Sequence, residues 1–278
     1  MIGSLELLQS SNVLTLFNTS DPAMRTGSAG EETATQIRAE IPDASYDLVI
    51  MNPPFTRATN HEGAHADITN PAFAAFDATD DDQNAMGGRV NRLGDDTCYH
   101  GNAGIASAFA ALAHKKLRLG GVLALVLPLS VANGLSWESF RELLARDYED
   151  ITILSIAANG RDMAFSSDTG MAECLVIAHK ELKDAPHSGR AHFMSLRHRP
   201  QGLAHASQLA GRLLRPRKSR RIEDGPYGGT VLKVGGELTG EMLTVPLGEG
   251  GASWSAVRLS DYSLAQVAYT LSLSLIHI

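Results

Sequence analysis

Cysteine is almost missing from this chain: Cys98 and Cys174 are the two in 278 residues. Thiols that far apart make no disulfide framework, and no CxxC pair suggests zinc. Two free thiols in a reducing cytoplasm are the expectation. Long apolar runs are missing too. The longest, Val122 to Leu129, falls well short of the ~20 residues a membrane helix needs, so no membrane partner is expected. Met1 is followed by no basic segment and apolar core, and no secretory signal is read there. Positive charge is not in excess either. The formal charge of −7 argues against a basic coat over the whole surface, while leaving room for a local basic patch.

What is present is ordinary soluble-protein material. Hydrophobic residues make up 44% and charged residues 20%, which predicts a packed core. The length suits one large domain, or one domain and part of another. The last six residues, Leu273 to Ile278, read LSLIHI. That peptide is the translation of the end of a common transposase sequencing adaptor. It is read as a scar and set aside from the fold, with the expectation that the gene was cut off there.

Short strands and helices alternate along the chain. "NVLTLF" (Asn12 to Phe17) reads as a strand followed by the turn-rich "NTSDP". Glu31 to Ile41 can form a short helix. "YDLVIM" (Tyr46 to Met51) is a continuous apolar run, as expected of a strand covered on both faces. Thr56 to Gly104 is long, polar and aperiodic, with "DATDDD" inside it; such loops are usually functional or disordered.

From Gly104 to Gly121 an alanine- and leucine-rich segment reads as a helix ending in basic residues and a Gly pair. "VLALVLPLS" is the next buried strand. Ser136 to Tyr148 opens with a capping serine and repeats apolar positions at helical spacing. Ile151 to Ala157 and Ala172 to Lys180 are strands with no long helix between them, which predicts a final antiparallel pair at one sheet edge. The whole is an α/β pattern with mostly parallel strands. Beyond Asp184 the texture changes. A strand in "RAHFMSLRHRP", a helix in "QGLAHASQLAGRLLR", a basic run and hairpin material in "TVLKVGGELTGEMLTVPLG" follow. The expected division is 1–184, 185–272 and the scar at 273–278.

The chemistry concentrates where YDLVIM ends, in NPPF. Ligands of open α/β sheets sit outside the carboxyl ends of the strands. Pro53 and Pro54 fix their own φ angles and restrict the residue before each, so the turn is stiff and Asn52 is presented in a set direction. The Asn52 side chain and the Pro53 carbonyl each offer an acceptor oxygen. Phe55 offers an apolar plate for stacking. Two acceptors and a plate suit a planar ring with an exocyclic amine. The lone pair of adenine N6 is delocalised into its ring. Accepting both N6 hydrogens favours a more tetrahedral nitrogen with its lone pair free to attack. The base would have to be flipped out of a duplex to get there.

DLVIMNPPFTR resembles the catalytic motif of the N6-adenine DNA methyltransferases, in their [DNS]PP[YFW] class. "HKKLRLGGVLALVLPLS" and "FSSDTGMAECLVIAHK" are similar to later segments of type I restriction-modification methylase subunits. The resemblance runs from about Asn12 to Lys180. It implies a class I methyltransferase fold, Rossmann-like and doubly wound, with a mostly parallel sheet and an antiparallel edge pair. It implies S-adenosylmethionine as methyl donor, DNA as substrate and a restriction or specificity subunit as possible partner. Carried across, Asn52 and Pro53 accept from the amine, Pro54 shapes the turn and Phe55 stacks on the base. Arg57 joins them as a candidate phosphate contact.

The family pattern also has a Gly-rich cofactor loop after its first strand and an acidic residue after its second. Asp21 to Gly30 imitates such a loop. But only about twenty residues separate it from Asn52, too few for two further crossovers of a dozen or more residues each. It is read as the loop after the third strand. The first strands and most of the cofactor site are then expected to be missing, so no cofactor-binding residue is assigned.

Other constellations have plainer readings. "HEGAH" (His61 to His65) fits HExxH, but Gly63 and the nearby prolines spoil the helix that a zinc site needs, and no metal site is assigned. Arg89 and Arg92 in the long loop could meet phosphates. So could the six basic residues Arg212, Arg215, Arg217, Lys218, Arg220 and Arg221, although basic surface segments are common without that role. Trp137 and Trp254 read as core. Two rival functions stay open: a methyltransferase acting on RNA adenine or a glutamine side chain, and a non-catalytic DNA-binding or split subunit.

Overall fold

The computed structural model describes residues 42–55, 98–156, 165, 172–182, 190–214 and 230–246. The proposed strand at Asn12 to Phe17, the helix at Glu31 to Ile41 and the loop Asp21 to Gly30 lie outside them. So do most of the 56–104 insertion, the basic run beyond Leu214 and the C-terminal scar.

The strands are β1 (Tyr46–Met51), β2 (Leu117–Pro128), β3 (Tyr148–Ile156), β4 (Glu173–Lys180), β5 (Arg190–Leu196), β6 (Thr230–Val234) and β7 (Glu237–Pro246). The helices are α1 (Ile105–Lys116), α2 (Glu138–Asp147) and α3 (Leu203–Leu214). Hydrogen bonding orders the strands β1-β2-β4-β3-β5-β7-β6 in one mixed sheet. The chain divides into two compact units, Met1–Leu125 with Leu135–Leu143, and Val126–Gly134 with Leu144–Ile278; β2 belongs to both.

In the first unit β1 runs parallel to β2, with Leu48 opposite Val122 and Met51 opposite Leu125. α1 leads straight into β2. The helix that the sequence predicts up to Gly121 stops at Lys116, and Leu117 is already extended (φ −74°, ψ 127°). The reason lies at its last turn. The carbonyls of Lys115 and Lys116 accept from Ala44 N (2.9 Å) and Ser45 N (3.0 Å). The lead-in to β1 thus satisfies helix-end carbonyls that a glycine cap would otherwise serve. Five of the twelve residues of α1 are alanines packed to near-zero exposure, so its neighbours approach closely. Trp137 and Phe140 are buried and meet edge-to-face, with ring centroids 5.8 Å apart. Trp137 is a core residue, as its apolar setting implied.

In the second unit β3 pairs antiparallel with β4 and parallel with β5. β7 is antiparallel to both β5 and β6. The antiparallel pair expected of β3 and β4 is present, but it lies inside the sheet; the pair at that edge is β6 with β7. β3 begins at Tyr148, earlier than the apolar run suggests. A bulge between Glu149 and Thr152, with Asp150 at φ 49°, lets the strand continue through a polar start. Residues Leu154, Met194, Leu196, Leu209, Leu232 and Met242 form one core cluster. It draws on the residues either side of Asp184. At Gly240 an added Cβ would sit 2.5 Å from the Ser195 carbonyl oxygen, so β7 can lie this close to β5 because the position has no side chain.

Candidate base-binding corner

The end of β1 carries the NPPF corner. Strand alternation sends Val49 inward, at 8% exposure, and leaves Tyr46, Leu48 and Ile50 outward at 39%, 51% and 70%. The expectation of a strand covered on both faces is therefore corrected. β1 is the first strand in the order, with one buried face. An unbroken apolar run looks the same whether or not anything covers its second face.

Asn52 continues the exposed side of this alternation. Pro53 is buried, Pro54 exposed and Phe55 half-buried. One proline is packed and the next is in the open, so the turn is anchored while Asn52 and Phe55 remain reachable. The four residues stand together at the carboxyl end of a parallel strand, where an α/β sheet presents ligands. Arg57 lies outside the described residues, as do the HEGAH segment, Arg89, Arg92 and Trp254.

The opposite end of β1 is held by charge. Lys116 Nζ donates to Asp43 Oδ1 at 2.7 Å, and Lys115 lies 3.5 Å from Asp43 Oδ2. Arg118 Nε donates to Asp47 Oδ1 at 2.7 Å. Partial burial alone would push the Asp43 carboxyl up. The hydrogen bond from Lys116 and the charges of Lys115 and Lys116 outweigh that and hold it below the usual carboxylate range. Sequence reasoning passed over these groups. Their signal was present: two acids flank the start of an apolar strand, two cations end a helix and a third opens the strand after it. Nothing in one sequence pairs them.

Both cysteines are buried thiols outside any disulfide. Burial pushes the Cys174 thiol well up, and the Glu173 charge adds to this, so it is an inert core thiol. Among the described residues no group of three His, Cys, Asp or Glu side chains stands ready to hold a metal, and no helix is long and apolar enough to cross a membrane.

S-adenosylmethionine asks for an acid at the ribose and a backbone cradle for its amino-acid end. The described acids of the first unit are Asp43 and Asp47, ion-paired at the start of β1, and Glu138 and Glu142 on α2. None stands in the NPPF corner, and no glycine-rich turn does. The described residues do not by themselves fit the donor.

No family model and no curated protein matches the chain. Solved structures do. The modification subunit of a putative type I restriction enzyme from Vibrio vulnificus YJ016 is similar at 18% identity, over 59% of this chain and 28% of that one, with TM-score 0.37. A chain from a type I restriction-modification system is similar at 17% identity, over 83% of this chain and 42% of that one, with TM-score 0.42. The EcoKI M protein is similar at 16% identity, over 61% and 41%, with TM-score 0.37. The chain thus spans well under half the length of each. The fold assignment rests on the strand order: parallel strands flanked by helices, with the reversed β4 between β2 and β3. That is an α/β fold built on one mixed sheet.

Proposed function

We propose that this chain belongs to an enzyme that methylates the N6 amine of a flipped-out adenine in DNA, with S-adenosylmethionine as donor. The observation that carries the reading is the NPPF corner: an exposed Asn52 and a half-buried Phe55, set by a buried proline at the carboxyl end of a parallel strand. Asn52 Oδ1 and the Pro53 carbonyl accept the two amine hydrogens and orient the nitrogen. Phe55 stacks on the base. Preorganised acceptors cost no reorganisation when charge develops on the nitrogen. A restriction or specificity subunit is the natural partner of such an enzyme.

The test, run on the whole enzyme to which the chain belongs, is transfer of a labelled methyl group from the donor to DNA, RNA and protein offered together. DNA adenine should carry the label. Asn52→Ala should lower the rate by on the order of 10²–10³, the usual scale for losing one preorganised transition-state contact. Label on RNA or on glutamine side chains would move the assignment to one of those substrates. A duplex with 2-aminopurine at the target gives a readout that needs no donor. Fluorescence should rise on binding, and the Asn52→Ala variant should lose the rise.

A further inference from the structure

A second surface of the molecule is built for a different job. From Pro186 to Ile222 the sequence holds nine Lys and Arg residues and no Asp or Glu, in a chain whose net charge is −7. The described part of this stretch is β5, the turn after it and α3. β5 is held on both sides, by β3 and β7, and the Arg197 amide donates to the Thr239 carbonyl at 2.9 Å. Arg197 and Arg199, both exposed, are therefore carried on backbone that the sheet fixes.

Between them is His198, which lines a cavity of about 240 Å³ with Gln201, His205, Gln208, Glu237 and Thr239. The two imidazole rings lie 6.0 Å apart, and His205 Nδ1 accepts from the Gln201 amide at 3.4 Å. Positions 201, 205 and 208 fall at helical spacing, so one face of α3 and the turn before it supplies both carboxamides and one imidazole.

We propose that this β5–α3 face grips the DNA backbone, a role that rests on the DNA reading above. Arg197 and Arg199 take the phosphates. Glu237 keeps a phosphate out of the cavity, which leaves the cavity to a neutral sugar or base edge. Imidazole and carboxamide groups serve such contacts well, since each offers donors and acceptors without a fixed charge. Separating the tasks has a physical logic. Phosphate contacts set register and orientation and carry little sequence information, while the NPPF corner has to recognise one ring.

Counterion release makes the claim measurable. Anisotropy of a labelled duplex is followed over a salt series with the full chain and with an Arg197→Gln, Arg199→Gln variant. The log–log salt slope should fall by about 2, one unit for each lost phosphate contact, and affinity at moderate salt should fall about tenfold or more. In the parent chain, DNA should protect His198 and His205 from diethyl pyrocarbonate, a readout that needs no variant. An unchanged slope, absent protection, or no DNA binding at low salt overturns the proposal. So does polyglutamate competing as well as DNA of equal charge, which would make this a face for an acidic protein. Failure here would leave the 2-aminopurine response intact. Failure of the base-binding reading would abolish that response and leave the fall in slope of the arginine variant in place.

Discussion

β1 and β3 are written in nearly the same letters and used in opposite ways. YDLVIM and ITILSI are both short, β-branched and apolar. β3 lies between β4 and β5, and from Ile153 to Ile156 every residue is buried. Among the described residues β1 has one neighbour, and it turns Leu48 and Ile50 outward. Composition reports that a segment can be buried. What covers it is a property of everything else in the chain. Function follows the same division: the strand with the open face carries the accessible corner.

Substitutions can break this comparison. Ile153→Ala removes a fully buried side chain from the sheet interior and should cost about 2–5 kcal/mol, through lost transfer energy and a residual cavity. Chemical denaturation measures it. A loss near zero would mean that β3 is not the packed centre of its unit. Next in size is the ion-paired start of β1. Asp43→Asn should cost about 0.5–1 kcal/mol at neutral pH, since Asp43 is half-exposed and solvent screens much of the attraction. The sign follows from its lowered pKa. The stabilisation is complete above the ordinary carboxylate value of 3.8 and fades as the pH falls through the lower folded value. The parent and Asp43→Asn stability curves should therefore converge on the acid side. A gap that persists there would make the contact one of packing instead of charge. The smallest effect belongs to Ile50→Ala, at 70% exposure, which should stay within about 0.5 kcal/mol. A loss approaching that of Ile153→Ala would show that this face is covered in solution.

Much of the architecture was legible because it is local. The helix in 104–121, the helix after Ser136, the strands around NPPF and the late hairpin follow from period, turn residues and β-branched runs. Element ends were less legible, and the physical reason is specific. α1 stops at Lys116 because the chain before β1 supplies its last hydrogen bonds, a contact between segments about seventy residues apart in sequence (Asp43 meets Lys116 in the same place). The stiffness of the NPPF turn could be read, since two prolines constrain their own backbone wherever they stand; which of its residues are packed and which exposed could not. The cavity beside α3 could not. His198 and His205 look like scattered polar residues until the hairpin brings Glu237 and Thr239 against them.

The sequence alone determined the α/β pattern, the stiff elbow and the uneven spread of charge, because each depends on residues within a few positions of one another. The tertiary structure decided which strand is central and which lies open, where β4 inserts, and which polar side chains share a cavity. Those depend on pairings across long stretches of chain, and hydrogen bonds between strands carry no mark in either strand's own letters.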